Sequence, residues 1–253
     1  MTARAVGRMS RRNERKRRAL GQHYLTDKSV VDLMVQKAEI TKGKRVLEIG
    51  TGTGVVTREL CGVASSVEGF ELDEENYLTT EALELEGLTL HREDAFAVSR
   101  DFDVLVSSLP YSESSNFVEW LAKLRYDRAV ILLQKDFAEK LLAKPGEERY
   151  RAVSVISQIS SRVEIVRQVG RESFDPPPKV SSVLVVVTPR NQILAERIHL
   201  VKLLFSQKRK RLAGALKSLG LELPNGDSLL LSHRVERLSA EEVEGVVGML
   251  KPL

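Results

Sequence analysis

A nine-residue stretch decides the fold: Val46-Leu47-Glu48-Ile49-Gly50-Thr51-Gly52-Thr53-Gly54. Its apolar residues predict a strand, and its three glycines at alternate positions predict a tight turn. Residues 55–60 then have the apolar spacing of a helix. A strand, a glycine turn and a helix start form the first unit of a doubly wound α/β sheet, and ligands of such sheets bind at that turn.

An acidic residue follows at the end of the next predicted strand. Residues 66–71 have a strand-like pattern that closes at Glu71. A carboxylate at this offset from a glycine turn is placed to accept hydrogen bonds from ribose hydroxyls. The turn and the acid together predict a nucleotide-containing ligand, and at this point they leave a dinucleotide dehydrogenase open.

The composition is that of a globular protein with room for one sizeable core and a small second module. The 253 residues are 42% hydrophobic and 29% charged, and the apolar runs are short. We therefore expect no transmembrane helix, no secretion signal and no membrane partner. One cysteine, Cys61, and four histidines exclude an internal disulfide and predict no metal site. A reducing, cytoplasmic location is expected.

The positive charge is concentrated at the N-terminus. Residues 1–18 hold eight basic residues against the single acid Glu14. This predicts a polyanion-binding arm, although a solvated tail without a partner would have the same composition. The arm residues that we expect to bind are Arg11, Arg12, Lys16 and Arg17.

Strand and helix patterns alternate up to residue 133, which predicts a parallel sheet with helices on both faces. Two later runs, Val163–Val169 and Val180–Thr188, have no helix between them and predict an antiparallel hairpin added to the sheet. Residues 193–219 are helical in pattern, and Ser239-Ala240-Glu241-Glu242 is a capping box. The predicted organisation is a basic arm (1–18), an α/β domain (19–190) and a small all-α domain (191–253).

Three polar residues end successive strands after the glycine turn: Glu71, Asp94 and Ser108. In a doubly wound sheet they converge on one ligand at the C-terminal edge. We expect Gly50 and Gly52 to contact an amino-acid portion of the ligand, Glu71 its ribose, and Asp94 an adenine amino group. Each acid taken alone is equally typical of a helix cap or a turn.

The sequence Ser108-Leu109-Pro110-Tyr111 is the most chemically suggestive segment. The amino group of a nucleobase is a poor nucleophile, because its lone pair is delocalised into the ring. A Ser108 oxygen and a backbone carbonyl could accept its two hydrogens, and Tyr111 could stack on an extruded base. Phe174 could cover the other face of the base. A strand-ending turn with a core tyrosine is the alternative.

The chain resembles the KsgA-type ribosomal RNA adenine dimethyltransferases in motifs that appear in family order. The matching segments are Gly21-Gln22-His23-Tyr24-Leu25-x-Asp27, Val46–Gly54 with Thr57, Glu71-Leu72-Asp73, Asp94-Ala95, Ser108-Leu109-Pro110-Tyr111, Gln134-Lys135-Asp136-Phe137-Ala138, Phe174-x-Pro176-x-Pro178-Lys179-Val180-x-Ser182 and Lys208-Arg209-Lys210-Arg211-Leu212. Together they span roughly residues 19–215 and are highly specific.

The resemblance implies a Rossmann-like class I methyltransferase sheet, S-adenosylmethionine as donor, and N6,N6-dimethylation of two adjacent adenosines near the 3′ end of small-subunit rRNA. Base handling is implied for Ser108, Pro110, Tyr111 and Phe174. His23 and Ser108 stand where the family usually has asparagine. The implied donor contacts are Gln22, His23, Leu25, Gly50, Gly52, Glu71, Leu72, Asp94, Ala95 and Ser108, and the implied RNA contacts include Lys208, Arg209, Lys210 and Arg211.

The expected partner is the immature small ribosomal subunit, with the protein acting as a monomer and without a metal. Two alternatives remain open. One is an rRNA-binding assembly factor with weak or no catalysis, since Ser108 replaces the usual asparagine. The other is the same chemistry on a different nucleic acid, such as 23S-type rRNA. A dehydrogenase ranks far below these, because the sequence has no residues for hydride chemistry.

Overall fold

The first half of the chain alternates strands and helices, as predicted. A computed structural model describes residues 23–97, 101–109, 113–224 and 228–252. The elements of this half are β1 (Tyr24–Leu25), α1 (Lys28–Ala38), β2 (Val46–Ile49), α2 (Val55–Cys61), β3 (Val67–Phe70), α3 (Glu74–Glu81), β4 (Leu88–His91), β5 (Val104–Ser108), α4 (Ser114–Leu121) and β6 (Arg128–Gln134).

The second half begins with two helices and ends in short helical segments. Its elements are α5 (Lys135–Leu142), α6 (Ala152–Ser160), β7 (Ser161–Val169), a 3-10 turn (Arg171–Ser173), β8 (Phe174–Asp175), β9 (Ser182–Pro189), α7 (Ala195–Ser206), α8 (Leu212–Leu219), β10 (Leu221–Glu222), α9 (Ser228–Ser232), a second 3-10 turn (Val235–Arg237), α10 (Ala240–Met249) and β11 (Lys251–Pro252).

Seven strands form one sheet in the order β4-β3-β2-β5-β6-β9-β7. The pairs β4–β3, β3–β2, β2–β5 and β5–β6 are parallel, and β9 runs antiparallel to β6. The strand order reverses at β2, whose neighbours are β3 and β5, so the glycine turn lies at the switch point where such sheets bind ligands. β9 and β7 are neighbours at one edge of the sheet, where the sequence predicted an added hairpin.

The core of the sheet is made by apolar residues of parallel strands. All four residues of β2 are buried, as are Val104, Val106, Val130 and Leu132 of β5 and β6. Helix α1 packs against these two strands through Val30, Val31 and Met34. Strands covered on both faces need continuous apolar runs, and Glu48 is the exception in β2.

Side-chain hydrogen bonds cap three helix starts, including the one that the sequence predicted at Ser239. Asp27 accepts from the backbone N–H of Ser29 before α1, and Asp73 accepts from that of Asn76 before α3. Ser239 and Glu242 form the predicted reciprocal capping box at α10. Each cap satisfies N–H groups that the helix cannot pair internally, a contribution of about 1 kcal/mol per cap.

The chain divides into two compact units. The first comprises the chain up to Ser114, Arg125–Lys135 and Glu164–Val187, and the second comprises Ser115–Leu124, Asp136–Val163 and the chain from Thr188 onward. The sequence-based boundary at residue 190 assigned the two middle segments to the α/β domain. The structure groups them with the C-terminal helices, and α6 packs against α7 and α10.

The helical pattern of residues 193–219 predicted a continuous helix, and the structure interrupts it at residues 207–211. This segment runs antiparallel to residues 233–236. Leu212 N–H donates to His233, and the N–H groups of Val235 and Glu236 donate to Lys210 and Lys208. Backbone pairing with a distant segment outweighs local helix propensity here, and no glycine or proline marks the break.

Candidate functional site

The carboxyl ends of three adjacent strands bring the predicted site residues together. Ile49 of β2 is in register with Phe70 of β3 and with Ser107 of β5. Gly50, Glu71 and Ser108 are the next residues on the three strands, so they lie side by side at one edge of the sheet. This is the convergence that the strand-end pattern predicted for Glu71 and Ser108.

The glycine turn approaches β5 closely. Gly50 has φ +77°, its N–H donates to the Phe70 carbonyl at 2.8 Å, and a Cβ added there would lie 3.6 Å from the Ser108 carbonyl oxygen. Gly54 also has φ +77°, and an added Cβ would lie 2.4 Å from Leu83 Cδ1. Other residues are strained at such φ values. The turn therefore requires glycine for its backbone conformation, and at Gly54 also because a side chain would collide with Leu83.

Glu71 is fixed by two backbone hydrogen bonds. One carboxylate oxygen accepts from the N–H of Gly52 at 2.8 Å, and the other accepts from the N–H of Asp73 at 2.9 Å. Each carboxylate oxygen can accept more than one hydrogen bond. Glu71 therefore faces the turn in a fixed orientation and retains capacity for hydroxyl donors.

Glu48 is a buried carboxylate at the back of the site. It is 2% exposed, and among the described residues its Oε2 atom has no hydrogen-bond partner. Burial raises the pKa of Glu48 to about 8, the nearby Thr57 hydroxyl acts in the opposite direction, and the negative charge of Glu71 adds to the rise. An unpaired buried polar atom is costly, and such a group directed at a ligand site is best explained by the ligand.

A two-stranded ribbon forms another wall of the site. Leu25 of β1 pairs with Phe174 of β8, and both side chains are buried. The His23 ring nitrogen Nδ1 lies 2.7 Å from the Pro176 carbonyl oxygen. The Tyr24 hydroxyl donates to Asn76 at 2.9 Å, and its ring lies 3.4 Å from where a Cβ on Gly52 would be. The ribbon thus brings Phe174 next to the strand ends.

These features enclose a pocket of about 100 Å³, which we call the strand-end pocket. Six of the predicted site residues line it: His23, Leu25, Gly50, Glu71, Ser108 and Phe174. This volume is smaller than the roughly 300–1,000 Å³ of typical ligand pockets. The enclosed part can therefore hold only a portion of a nucleoside-sized ligand.

Comparison with known proteins gives the chain a family. Residues 13–244 match the family model of the ribosomal RNA adenine dimethylases. The chain belongs to this family. It is 35% identical over 244 residues to a probable ribosomal RNA small subunit methyltransferase A from Pyrococcus abyssi, covering 92% of this chain and 91% of the relative. It is 38% identical to the protein of that name from Thermococcus gammatolerans, covering 91% and 88%.

Similarity to solved structures agrees with this family membership. A dimethyladenosine transferase from Plasmodium falciparum superposes with a TM-score of 0.78 at 26% identity, over 90% of this chain and 99% of that one. The 23S rRNA methyltransferase ErmE gives a TM-score of 0.62 at 20% identity, over 89% and 98%, which supports the fold alone. The predicted family, fold class and enzyme class are confirmed.

Other predicted site residues lie away from the pocket lining or outside the described residues. Leu72 is 65% exposed, Asp94 is exposed and accepts from the Phe96 N–H at 2.9 Å, and Ala95 is buried. Gly52 contributes through its bond to Glu71. The residues outside the described ranges are Gln22, Pro110, Tyr111, Arg11, Arg12, Lys16 and Arg17.

Several residues of the strand-end pocket were not predicted from the sequence. Glu48, Tyr24 and Asn76 line it, and none was predicted to do so. A glutamate inside an apolar strand was the available signal for Glu48, since charged residues are almost never fully buried without a role. Asn76 carried no signal, because an asparagine in a helix that begins at Glu74 is ordinary.

The basic segment at residues 208–211 lies in the second unit. Arg209, Lys210 and Arg211 are exposed, whereas Lys208 is only 19% exposed and its Nζ lies 3.3 Å from Glu236. The Lys210 ammonium donates to Ser218 at 2.9 Å. Three of the four predicted RNA-binding cations in this segment are therefore accessible, and Lys208 is largely engaged within the protein.

Among the described residues, no helix has both the length and the apolar character needed to cross a membrane. The same residues contain no group of three or more histidine, cysteine, aspartate or glutamate side chains suited to a metal ion.

Proposed function

We propose that the protein uses S-adenosylmethionine to convert two adjacent adenosines near the 3′ end of small-subunit rRNA to N6,N6-dimethyladenosine. The proposal is carried by one observation: in a member of this family, a glycine turn, a ribose-type acid, Ser108 and an aromatic wall line the same pocket. The partner is the immature small ribosomal subunit, and the protein acts on it as a cytoplasmic monomer.

The residues present fit the donor. Gly50 lines the pocket without a side chain, and Glu48, whose buried Oε2 has no hydrogen-bond partner among the described residues, belongs to the same lining. Glu71 stands at the rim with both oxygens oriented by backbone N–H groups. We assign the amino-acid portion and the positive charge of the donor to the Gly50 and Glu48 side, and the ribose hydroxyls to Glu71. A bound cation would favour the ionised form of Glu48.

The base side of the reaction falls to Ser108, Leu109 and Phe174. When bound, S-adenosylmethionine supplies an electrophilic methyl group. Oxygen acceptors at Ser108 and at the Leu109 carbonyl would hold the two hydrogens of the adenine N6, so that its lone pair is freed from the ring. N6 would accept the methyl group as the carbon–sulfur bond of the donor breaks, S-adenosylhomocysteine would leave with the bonding electron pair, and N6 would pass a proton to solvent. Positioning and electrostatics provide the acceleration.

The RNA side falls to the second unit and the N-terminal arm. The exposed cations Arg209, Lys210 and Arg211 can contact phosphates, and the arm residues named above add to them. Such contacts position RNA without reading its sequence. The choice of adenosines then depends on which bases reach the strand-end pocket.

Methyl transfer to immature small ribosomal subunits tests the proposal directly. Labelled S-adenosylmethionine is supplied, and the modified bases are mapped. We expect dimethyladenosine at two adjacent positions near the 3′ end. If the protein binds both donor and subunits and transfers no methyl group, the catalytic claim is wrong and an assembly factor on a methyltransferase fold remains. Methylation mapped only to large-subunit rRNA would mean that the substrate is large-subunit rRNA and not small-subunit rRNA.

Replacing Glu71 with alanine should weaken donor binding by about 10- to 100-fold, the value of one or two hydrogen bonds to a charged group. Calorimetric titration with S-adenosylhomocysteine measures this. A ribose-deoxy analogue makes the test specific: it should bind the natural protein weakly, and the penalty for the missing hydroxyls should vanish in the variant. An undiminished penalty would assign the ribose to another residue. Exposed Glu86→Ala is the matched control.

A further inference from the structure

A second cavity lies entirely within the second unit. It has a volume of about 400 Å³, and we call it the helix cavity. Residues of α4, α5 and α7 and the start of α6 line it. The lining includes Glu119, Phe137, Lys140, Arg151, Lys202 and Phe205. Neither the motifs of the sequence nor the chemistry of the strand-end pocket gives this cavity a role.

The floor of the helix cavity is apolar and fixed. Phe137 and Phe205 are 8% and 7% exposed. The Phe205 ring packs edge-on against Tyr150, with ring centroids 5.6 Å apart, and the buried Tyr150 hydroxyl donates to the Leu238 carbonyl at 3.0 Å. Because these rings are held by neighbours, the cavity does not depend on a mobile side chain for its shape.

The rim of the helix cavity is positively charged. Lys202 is neutralised by Glu119, with 2.8 Å between Nζ and the carboxylate. Lys140 and Arg151 are both exposed. Among the described residues, Lys140 has no ion-pair partner, and the Arg151 guanidinium donates only to backbone carbonyls, including that of Tyr150 at 3.0 Å. Two cations are therefore left without a counter-charge.

The nearby carboxylates do not neutralise these cations. Asp136 and Glu139 are on the same helix as Lys140, but both pair with Arg149. Glu119 is the sole acid among the described residues that line the cavity. The site therefore combines an apolar aromatic floor with a net positive rim.

An anionic ligand with a flat apolar part matches this combination. Single-stranded nucleic acid has such a unit, since its bases bind aromatic and apolar surfaces while its phosphates meet lysine and arginine. The volume falls within the roughly 300–1,000 Å³ typical of ligand sites. The N-terminal arm of this chain, with eight basic residues among its first 18, has the wrong charge to be the occupant.

We propose that the helix cavity holds one unpaired nucleotide of the rRNA, with the base above Phe137 and Phe205 and its phosphate between Lys140 and Arg151. The proposal rests on the proposed function, in that the RNA is the substrate. It gives the second unit a docking point distinct from the basic segment at residues 208–211. An extruded nucleotide held there would fix the register of the RNA.

The test is RNA binding by the double charge reversal Lys140→Glu/Arg151→Glu in the full-length protein. The probe is a fluorescein-labelled RNA of the 3′-terminal small-subunit hairpin with its single-stranded flanks, followed by anisotropy. We expect Kd to rise at least about tenfold, and the slope of log Kd against log[salt] between about 50 and 200 mM to fall by about 0.7, the value for one lost phosphate contact on a single strand.

The matched control is Lys144→Glu/Arg162→Glu, which changes the charge equally at two exposed positions of the same unit outside the cavity. It should raise Kd less than about threefold, the general electrostatic cost alone. Equal losses in the two variants would reduce the cavity to part of a diffuse positive surface. Unchanged binding in the cavity variant would overturn the proposal outright.

A variant that fills the cavity distinguishes binding inside it from binding to a charged surface. Ser115 is exposed at the cavity lining, and Ser115→Trp occupies space without changing charge. We expect Kd to rise while the salt slope stays at the natural value, and wild-type affinity would contradict the proposal. Donor binding, measured by calorimetry, checks folding. The RNA-binding measurement does not require catalysis. If the natural protein transferred no methyl group, the proposed function would be wrong, and the binding test of the helix cavity would still be valid.

Discussion

Replacing Ser108 with alanine is expected to lower kcat for methyl transfer by about 100-fold or more, the usual cost of losing one well-placed hydrogen-bonding group at a transition state. Ser108 ends β5 beside the glycine turn and lines the strand-end pocket. Its hydroxyl is the side-chain acceptor that the proposed reaction assigns to adenine N6. Single-turnover transfer to immature small subunits, with the donor saturating, measures the chemical step.

Two further variants test whether that loss is specific to the Ser108 hydroxyl. Ser108→Asn keeps a side-chain acceptor and should recover most of the rate, whereas a large gain above the natural protein would mean that serine impairs catalysis. Ser107→Ala is the neighbouring control. Its hydroxyl is buried and donates to the Ile49 carbonyl at 2.7 Å, so its loss should cost about 1 kcal/mol of stability and leave kcat near normal. Equal rates for Ser108→Ala and the natural protein would remove Ser108 from the mechanism.

Replacing Glu48 with glutamine is expected to remove a large pH dependence of stability. The pKa of Glu48 is about 8 in the folded protein, against an ordinary value of 4.5, because the carboxylate is desolvated. Between these values the folded state binds a proton that the unfolded state has released. The stability that this proton provides is complete below pH 4.5 and is lost as the pH rises towards 8.

The natural protein should therefore lose roughly 3–5 kcal/mol more stability than Glu48→Gln between pH 5 and pH 9, because each tenfold difference in proton affinity between the folded and unfolded states corresponds to about 1.4 kcal/mol. Urea unfolding of the ligand-free protein across this range gives the two slopes. Glu86→Gln, an exposed acid, should follow the natural curve. Parallel curves for Glu48→Gln and the natural protein would mean that Glu48 is ionised at neutral pH.

The sheet was predictable because its information is local. The central parallel strands β2, β5 and β6 are buried, so each is a short apolar run in the sequence. The caps at Asp27, Asp73 and Ser239 mark helix starts by side-chain chemistry. The break at residues 207–211 was not predictable. It depends on backbone pairing with residues 233–236, and backbone hydrogen bonds leave no side-chain pattern.

The site divides in the same way. Glu71 and Ser108 could be found because the residue after a parallel strand reaches the ligand edge of the sheet. Glu48 was visible in the sequence as an acid in an apolar strand, but its raised pKa follows from burial that only the fold creates. The helix cavity carried no sequence signal, since its rings and cations come from three helical segments that are separated in sequence.

The β1–β8 ribbon sets an order of events during synthesis. It joins Leu25 to Phe174, about 150 positions apart, so closing this wall carries the entropy cost of a long loop. The glycine turn leaves the ribosome long before Phe174 does, and more than two-thirds of the chain must be made before the pocket can close. A nascent chain therefore contains the glycine turn well before the strand-end pocket can form.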